Sequence, residues 1–175
     1  MSASPESLWH VSDDGNIALF RPRIPSKQVP GVNMPVVWAV NTMRLPNYLL
    51  LRDCPRITFY RTSNTTIEDA MLFSAPPSGQ VVVIENEWLA RLLLSNLWLY
   101  ELPKKHFRCL DENAGYFVSE CPVEPISKRR LTGLKIELAA RNAAVRTCDE
   151  LRIFAGQVAA STLGFSIIRL HKASA

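Results

Sequence analysis

Apolar residues fall in short runs along most of this chain, and Pro, Gly, Asn or Asp separates one run from the next. That spacing predicts strands. "SLWHV" and "IALF" read as two short strands around a Ser-Asp-Asp-Gly turn, and "RPRIPSKQVPGVNMP", with four prolines in fifteen residues, reads as a loop. "VVWAV", "RITFY", "QVVVIE", "LWLYEL", "HFRCL", "GYFVS", "VEPISKRRL" and "ELRIF" are further strand segments. Helical spacing is rarer. "NTMRLPNYLLLRDC" starts on capping residues and stops at Pro55, which marks a short helix or helical turn. Thr66, three residues before Asp69, opens a helix over "IEDAMLFS", and "PPSG" ends it. "NEWLARLLLSN" sets Trp88, Leu89, Leu92 and Leu93 on one helical stripe. Thr132 is placed to cap a helix through "LKIELAARNAA", and "VAASTLGFSIIRL" reads as a short helix followed by a strand over Phe165–Leu170. The pattern predicts an α+β fold of strand-rich mixed sheets with a few short helices. It gives one globular domain over residues 8–171, a flexible N-terminus over 1–7 and a tail over 172–175.

Composition narrows the classes. A length of 175 residues with 47% hydrophobic content supports one substantial core. No apolar stretch reaches the roughly 18 residues of a membrane span, and "MSASPESL" lacks the basic flank and apolar segment of a secretory signal, so a soluble, cytoplasmic protein is expected. Cys54, Cys109, Cys121 and Cys148 form no CxxC pair, which argues for reduced thiols rather than a zinc ribbon or a disulfide framework. His10, His106 and His171 lie far apart with no metal-ligand spacing, and no metal is expected. The net charge of +4 is modest, "SKRR" at 127–130 is the one basic cluster, and no aromatic run of the RNA-binding type flanks it. Nucleic acid is therefore a minor hypothesis, and a homodimer is compatible with so apolar a chain. The Rossmann, P-loop, zincin and α/β-hydrolase signatures are missing from the sequence.

Several residues carry chemistry, each beside a structural alternative. His10 precedes a polar turn, where an imidazole can donate, accept or shuttle a proton; the alternative is a strand histidine bonded to backbone across the sheet. "RDCPR" places two guanidiniums, a carboxylate and a thiol within five residues. Arg52 or Arg56 would grip an anion through its planar fork, or the segment is a clamp in which Asp53 accepts from a neighbouring arginine. Cys54 would act as a nucleophile only with its pKa lowered by a nearby base. Tyr116 shares a face with Val118; it is a core residue, or a ligand contact on a pocket rim that Gly115 opens. Glu85 reads as a helix-start acid, and Ser161, Thr162 and Ser166 as capping and turn residues.

"LWHVS", "PVVWAVNTMRLPNYLLLRDCPRITFY", "GYFVSECPVEP" and "STLGFSIIRL" together resemble an uncharacterised family of small, mainly bacterial domains of unknown function, with "LPNYLLLRDCPR" the most specific piece. More distantly, a histidine on the first strand followed by an apolar strand with Pro-Arg, a loop and a strand is similar to the ADP-ribosyltransferase-like fold. That resemblance implies that His10 holds the nicotinamide-side ribose of NAD with Ser12 as polar neighbour, that Arg21 or Arg23 meets a phosphate, and that Tyr48 stacks on the nicotinamide. Where relatives of that fold carry a catalytic glutamate this chain reads Gly115-Tyr116, with Glu120 further along. The expectation is a small enzyme that binds an anionic, nucleotide-like ligand around His10, with Arg21, Arg23, Arg52 and Arg56 as anion contacts, Tyr48 and Tyr116 as aromatic walls, and NAD as the cofactor to test. The alternatives are a cofactor-independent cyclase, isomerase or lyase with His10 as general acid or base, and a non-catalytic ligand-binding or protein-interaction module.

Overall fold

The computed structural model describes residues 7–25 and 28–174. The expected flexible N-terminus therefore lies outside the described residues apart from Ser7, as do Ser26 and Lys27 of the proline-rich loop. In chain order the strands are β1 (Leu8–Ser12), β2 (Val37–Asn41), β3 (Arg56–Tyr60), β4 (Gln80–Glu85), β5 (Leu97–Leu102), β6 (Arg108–Asp111), β7 (Tyr116–Ser119), β8 (Ser127–Leu131), β9 (Ala143–Cys148) and β10 (Gly164–Ile168). The helices are α1 (Ile67–Leu72), α2 (Asn86–Leu94), α3 (Leu134–Ala139) and α4 (Leu151–Ala159). This is an α+β fold, as the sequence predicts. No described helix is long and apolar enough to cross a membrane.

The strands divide between two compact units, each built from two separate stretches of chain: residues up to Tyr48 with Leu97–Leu131, and Leu49–Asn96 with Thr132 onward. The first unit is an antiparallel sheet in the order β6-β7-β2-β1-β5-β8. Alternation along each strand sends side chains to opposite faces. One face buries Leu8, Val37, Ala39, Tyr100 and Leu102 with Phe20 and Val123; on the other, Val118 packs with Val32, Val36, Trp38 and Leu110.

The second unit is a sheet in the order β10-β3-β4-β9, antiparallel except that β9 runs parallel to β4. Ile57, Phe59, Val81 and Val83 form its core with Phe73 and with Leu151, Ala155 and Val158 of α4. Helices α2 and α3 pack on β4 and β9 and against each other.

Several expectations change. "IALF" is not a strand: Phe20 makes a single bridge to Val123, and the Ile17 N–H goes to the Tyr100 hydroxyl instead of to a neighbouring strand. "ELRIF" begins α4, because Leu151, Ala155 and Val158 keep helical spacing through residues that a five-residue window cuts off. Helix α3 ends at Ala139, where the following Asn142 turns left-handed at φ 56° and releases the chain into β9, whose first two residues the expected helix "LKIELAARNAA" takes in. Its start is Gly133 in the left-handed region, not a Thr132 side-chain cap. On α2 only Trp88 and Leu92 are buried; Leu93 is exposed and Leu89 half-buried. Within the expected tail, Ala173 enters the second core and Arg152 donates to the carbonyls of Ala173 and Ser174.

Candidate functional site

His10 sits at the centre of β1, on the face it shares with Leu8 and Ser12, directly opposite Tyr100 of β5. Pairing of β1 with β2 stops at Trp9–Val40. Past that point the His10 ring replaces the ladder: its Nδ1 lies 2.9 Å from the Trp38 carbonyl oxygen. A carbonyl only accepts, so Nδ1 carries the hydrogen and the ring's orientation is fixed. The imidazole packs on Phe20, with centroids 4.7 Å apart, and Phe20 meets Tyr100 edge-on at 5.1 Å.

The Ser-Asp-Asp-Gly turn is built onto the same face. The Ser12 hydroxyl accepts from the Asp14 N–H at 3.1 Å, and the Asp14 carboxylate accepts from the Asn16 N–H at 2.8 Å. Tyr100, fully buried, donates its hydroxyl to the Asp14 carbonyl at 2.8 Å. Gly15 is required because a Cβ there would overlap the Trp98 ring. Ser12 thus closes the turn beside His10. Arg21 and Arg23 follow Phe20, both exposed, and among the described residues neither guanidinium makes a hydrogen bond or ion pair; Arg23 bridges Val36 through its backbone.

Tyr116 does not join His10. The register Val40 to Tyr116, together with Trp9 to Val40, sets Tyr116 on the face that carries Trp9, whereas His10 points from the other. Tyr116 stands edge-on to Trp38 at 5.7 Å and to Tyr48 at 5.9 Å, so both expected aromatic walls lie together on the face opposite His10. Nor does Gly115 open a pocket. At φ 69° it closes against Asn41 and Arg44, where a Cβ would come within 2.6 Å of Asn41 Oδ1. Glu120 is exposed, 3.9 Å from Arg108.

"RDCPR" belongs to the second unit, where Arg56, and not Asp53 as the expected clamp had it, ties the turn together. Arg56 is buried, and its Nη1 donates to the carbonyls of Cys54 at 2.9 Å and Leu51 at 3.3 Å, so it fixes the turn before β3 instead of presenting a fork to a ligand. Asp53 lies 3.8 Å from both Arg169 and Lys172. Arg52 is exposed and makes no hydrogen bond or ion pair among the described residues. The Cys54 thiol is pushed up to about 12 by burial, against the pull of Arg56 and Arg91, which removes it as a nucleophile. Glu85 is buried at the end of β4, where one carboxylate oxygen accepts from the Ser174 N–H at 2.8 Å. Ser161 and Thr162 serve as turn residues: Ser161 donates to the Val158 carbonyl and Thr162 to the Asp69 carboxylate. No group of three or more His, Cys, Asp and Glu side chains among the described residues could hold a metal ion.

The sequence reading missed a cleft of about 540 Å³ in the second unit, whose lining includes Asp69, Phe73, Arg146, Cys148, Phe154 and Ser161. Its parts were hidden by the misread segments, with Arg146 next to a supposed helix and Phe154 in a supposed strand. The signal that would have found it is the helical spacing of Leu151, Ala155 and Val158.

No curated protein and no solved structure matches the chain. One family model does, over residues 9–173, nearly the span covered by the segments from "LWHVS" to "STLGFSIIRL". By that match the chain belongs to DUF6886, a family of unknown function.

Proposed function

We propose that the chain binds a small anionic ligand of the nucleotide type, as represented by ADP-ribose and NAD, on the His10 face of the first unit, and that it acts on that ligand as an enzyme with an ADP-ribosyltransferase-like core. The observation that carries this reading is the continuity of His10, Phe20, Arg21 and Arg23. An imidazole held in one orientation by the Trp38 carbonyl packs on a phenyl ring, and the chain continues from that phenylalanine to two exposed arginines whose side chains pair with nothing among the described residues. Guanidinium forks suit phosphate oxygens, and an imidazole near neutral pH suits a ribose hydroxyl or a proton transfer. Ser12 supports the site by shaping the turn beside it. Tyr48, Tyr116, Arg52 and Arg56 are left out of this ligand's contacts.

A second reading, a module that binds the same ligand without turning it over, is favoured by the backbone bond of His10 and by the placement of Tyr116 on the opposite face. One experiment separates the two. The melting temperature is followed while ADP-ribose and NAD are titrated into wild type, His10→Ala and an Arg21→Ala/Arg23→Ala double variant, and nicotinamide release is assayed alongside. A ligand at about a hundred times its Kd adds about 2.7 kcal/mol, which for a chain of this length is a rise of roughly 5–10 °C. The expected result is a dose-dependent rise in wild type that both variants lose. Nicotinamide release that His10→Ala abolishes supports the enzyme; a rise without release supports the binding module. No rise with either ligand, or one that both variants keep, overturns the site.

A further inference from the structure

The cleft of the second unit lies where the C-terminal end of α1, the strand β9 and the helix α4 meet. Its size, about 540 Å³, is within the range of small-molecule sites. Two aromatic walls stand in it, Phe73 and Phe154, edge-on at 5.8 Å. Val83 of the sheet also contributes to the lining.

The cleft also holds one side chain of each charge, Arg146 and Asp69, each held in place by its neighbours. Arg146 donates Nη1 to the Phe73 carbonyl at 2.8 Å and Nη2 to the Ser74 carbonyl at 2.7 Å. A guanidinium has five N–H donors, so its remaining hydrogens, that on Nε among them, are uncommitted, and among the described residues no carboxylate pairs with it. Asp69 accepts through Oδ2 from the N–H and the hydroxyl of Thr162, and the Thr66 side chain adds a further hydrogen bond to the same carboxyl. Those bonds from Thr162 hold the Asp69 carboxyl below its ordinary pKa, so it stays charged through the neutral range. The other titratable group in the cleft is Cys148, whose thiol is pushed up by burial and by Glu85 and Asp149, and it stays neutral there.

A cleft with two aromatic walls, one cation and one anion, fixed by backbone carbonyls and by threonines, matches a ligand that carries both charges and an apolar body. We propose that this cleft is a binding site for a zwitterion of the aromatic amino-acid type, with its carboxylate on Arg146, its ammonium on Asp69 and its side chain against Phe73 and Phe154. A plain carboxylate would leave Asp69 facing an uncharged group, and a plain amine would do the same to Arg146.

The test is a titration of the full chain, by calorimetry and by heteronuclear NMR, with L-phenylalanine, 3-phenylpropionate and 2-phenylethylamine. Loss of either charge removes a charge-assisted hydrogen bond, so each analogue is expected to bind roughly tenfold more weakly than phenylalanine. Shifts at Phe73, Phe154 and Arg146 locate the ligand. Asp69→Asn keeps an acceptor for Thr162 while removing the charge, and should bring phenylalanine down to the level of 3-phenylpropionate. The proposal fails if either analogue binds as well as phenylalanine, if none of the three binds, or if the shifts fall on other residues. The His10 site uses residues of the first unit and nucleotide ligands, so either proposal can fail without the other.

Discussion

A thiol one residue from proline and two from a buried arginine invites a nucleophile's reading, and Cys54 shows why burial overrides sequence neighbours. Desolvation raises its pKa from 9.0 to about 12, so the folded chain holds the proton through a range in which the unfolded chain gives it up. The sign follows from linkage. A raised pKa contributes stability that is complete below pH 9 and is lost as pH rises from 9 toward 12. Urea denaturation across that range should show stability falling with pH, and Cys54→Ala should flatten the slope. Alkylation in the native state should modify the exposed Cys109 and Cys121 and spare Cys54 until the chain unfolds. The same scale explains what was legible of the site. That His10 lies on a strand and that its ring could bond to backbone both follow from one sequence window. That Tyr116 faces away from it does not, because relative face depends on the pairing of β1, β2 and β7, whose registers join residues far apart in the chain.

Among the elements, those bounded by strong punctuation are read to the residue: β3 follows Pro55, β4 follows Gly79 and β5 follows Asn96. The α3–β9 junction is misread, because the break there is a left-handed asparagine that the apolar spacing on either side does not announce. The basic run "SKRR" has a structural use as well: it forms β8 at the edge of the six-stranded sheet, where charged side chains discourage pairing with another strand. At the entry to β4 the fold depends on one glycine. Gly79 has φ 82°, and a Cβ would overlap the Asn142 carbonyl, which accepts the Gln80 N–H at 2.9 Å and so aligns the starts of the parallel pair β4 and β9. Gly79→Ala should therefore destabilise by about 1–3 kcal/mol through strain and overlap together. Thermal unfolding measures this, and an unchanged melting temperature would mean that the turn yields freely.

At the scale of the molecule, each unit carries its own sheet and its own core. Within each sheet the inner strands are paired on both sides, and β4 is buried along its whole length. Hydrogen exchange should therefore protect β1, β2, β3 and β4 most and release the edge strands β6, β8, β9 and β10 first. Fast exchange in β4 would contradict the packing of the second unit. Sequence predicts the strand-rich α+β class because local periodicity decides class. It could not predict that the strands sort into two units from alternating stretches of chain, because that sorting rests on pairings that skip whole segments, such as β1 with β5 and β3 with β10.

The pairing of β3 with β10 sets a waiting time during synthesis. Tyr60 of β3 lies opposite Gly164 of β10, a separation of 104 residues (164 minus 60). At about 5–20 residues per second, translation takes roughly 5–20 s to supply the missing partner. Throughout that interval one edge of "RITFY", an apolar and aromatic strand, has its backbone groups open to any other extended chain. The stretch of this protein most in need of protection on the ribosome is therefore the strand that ends up in the interior of the finished sheet.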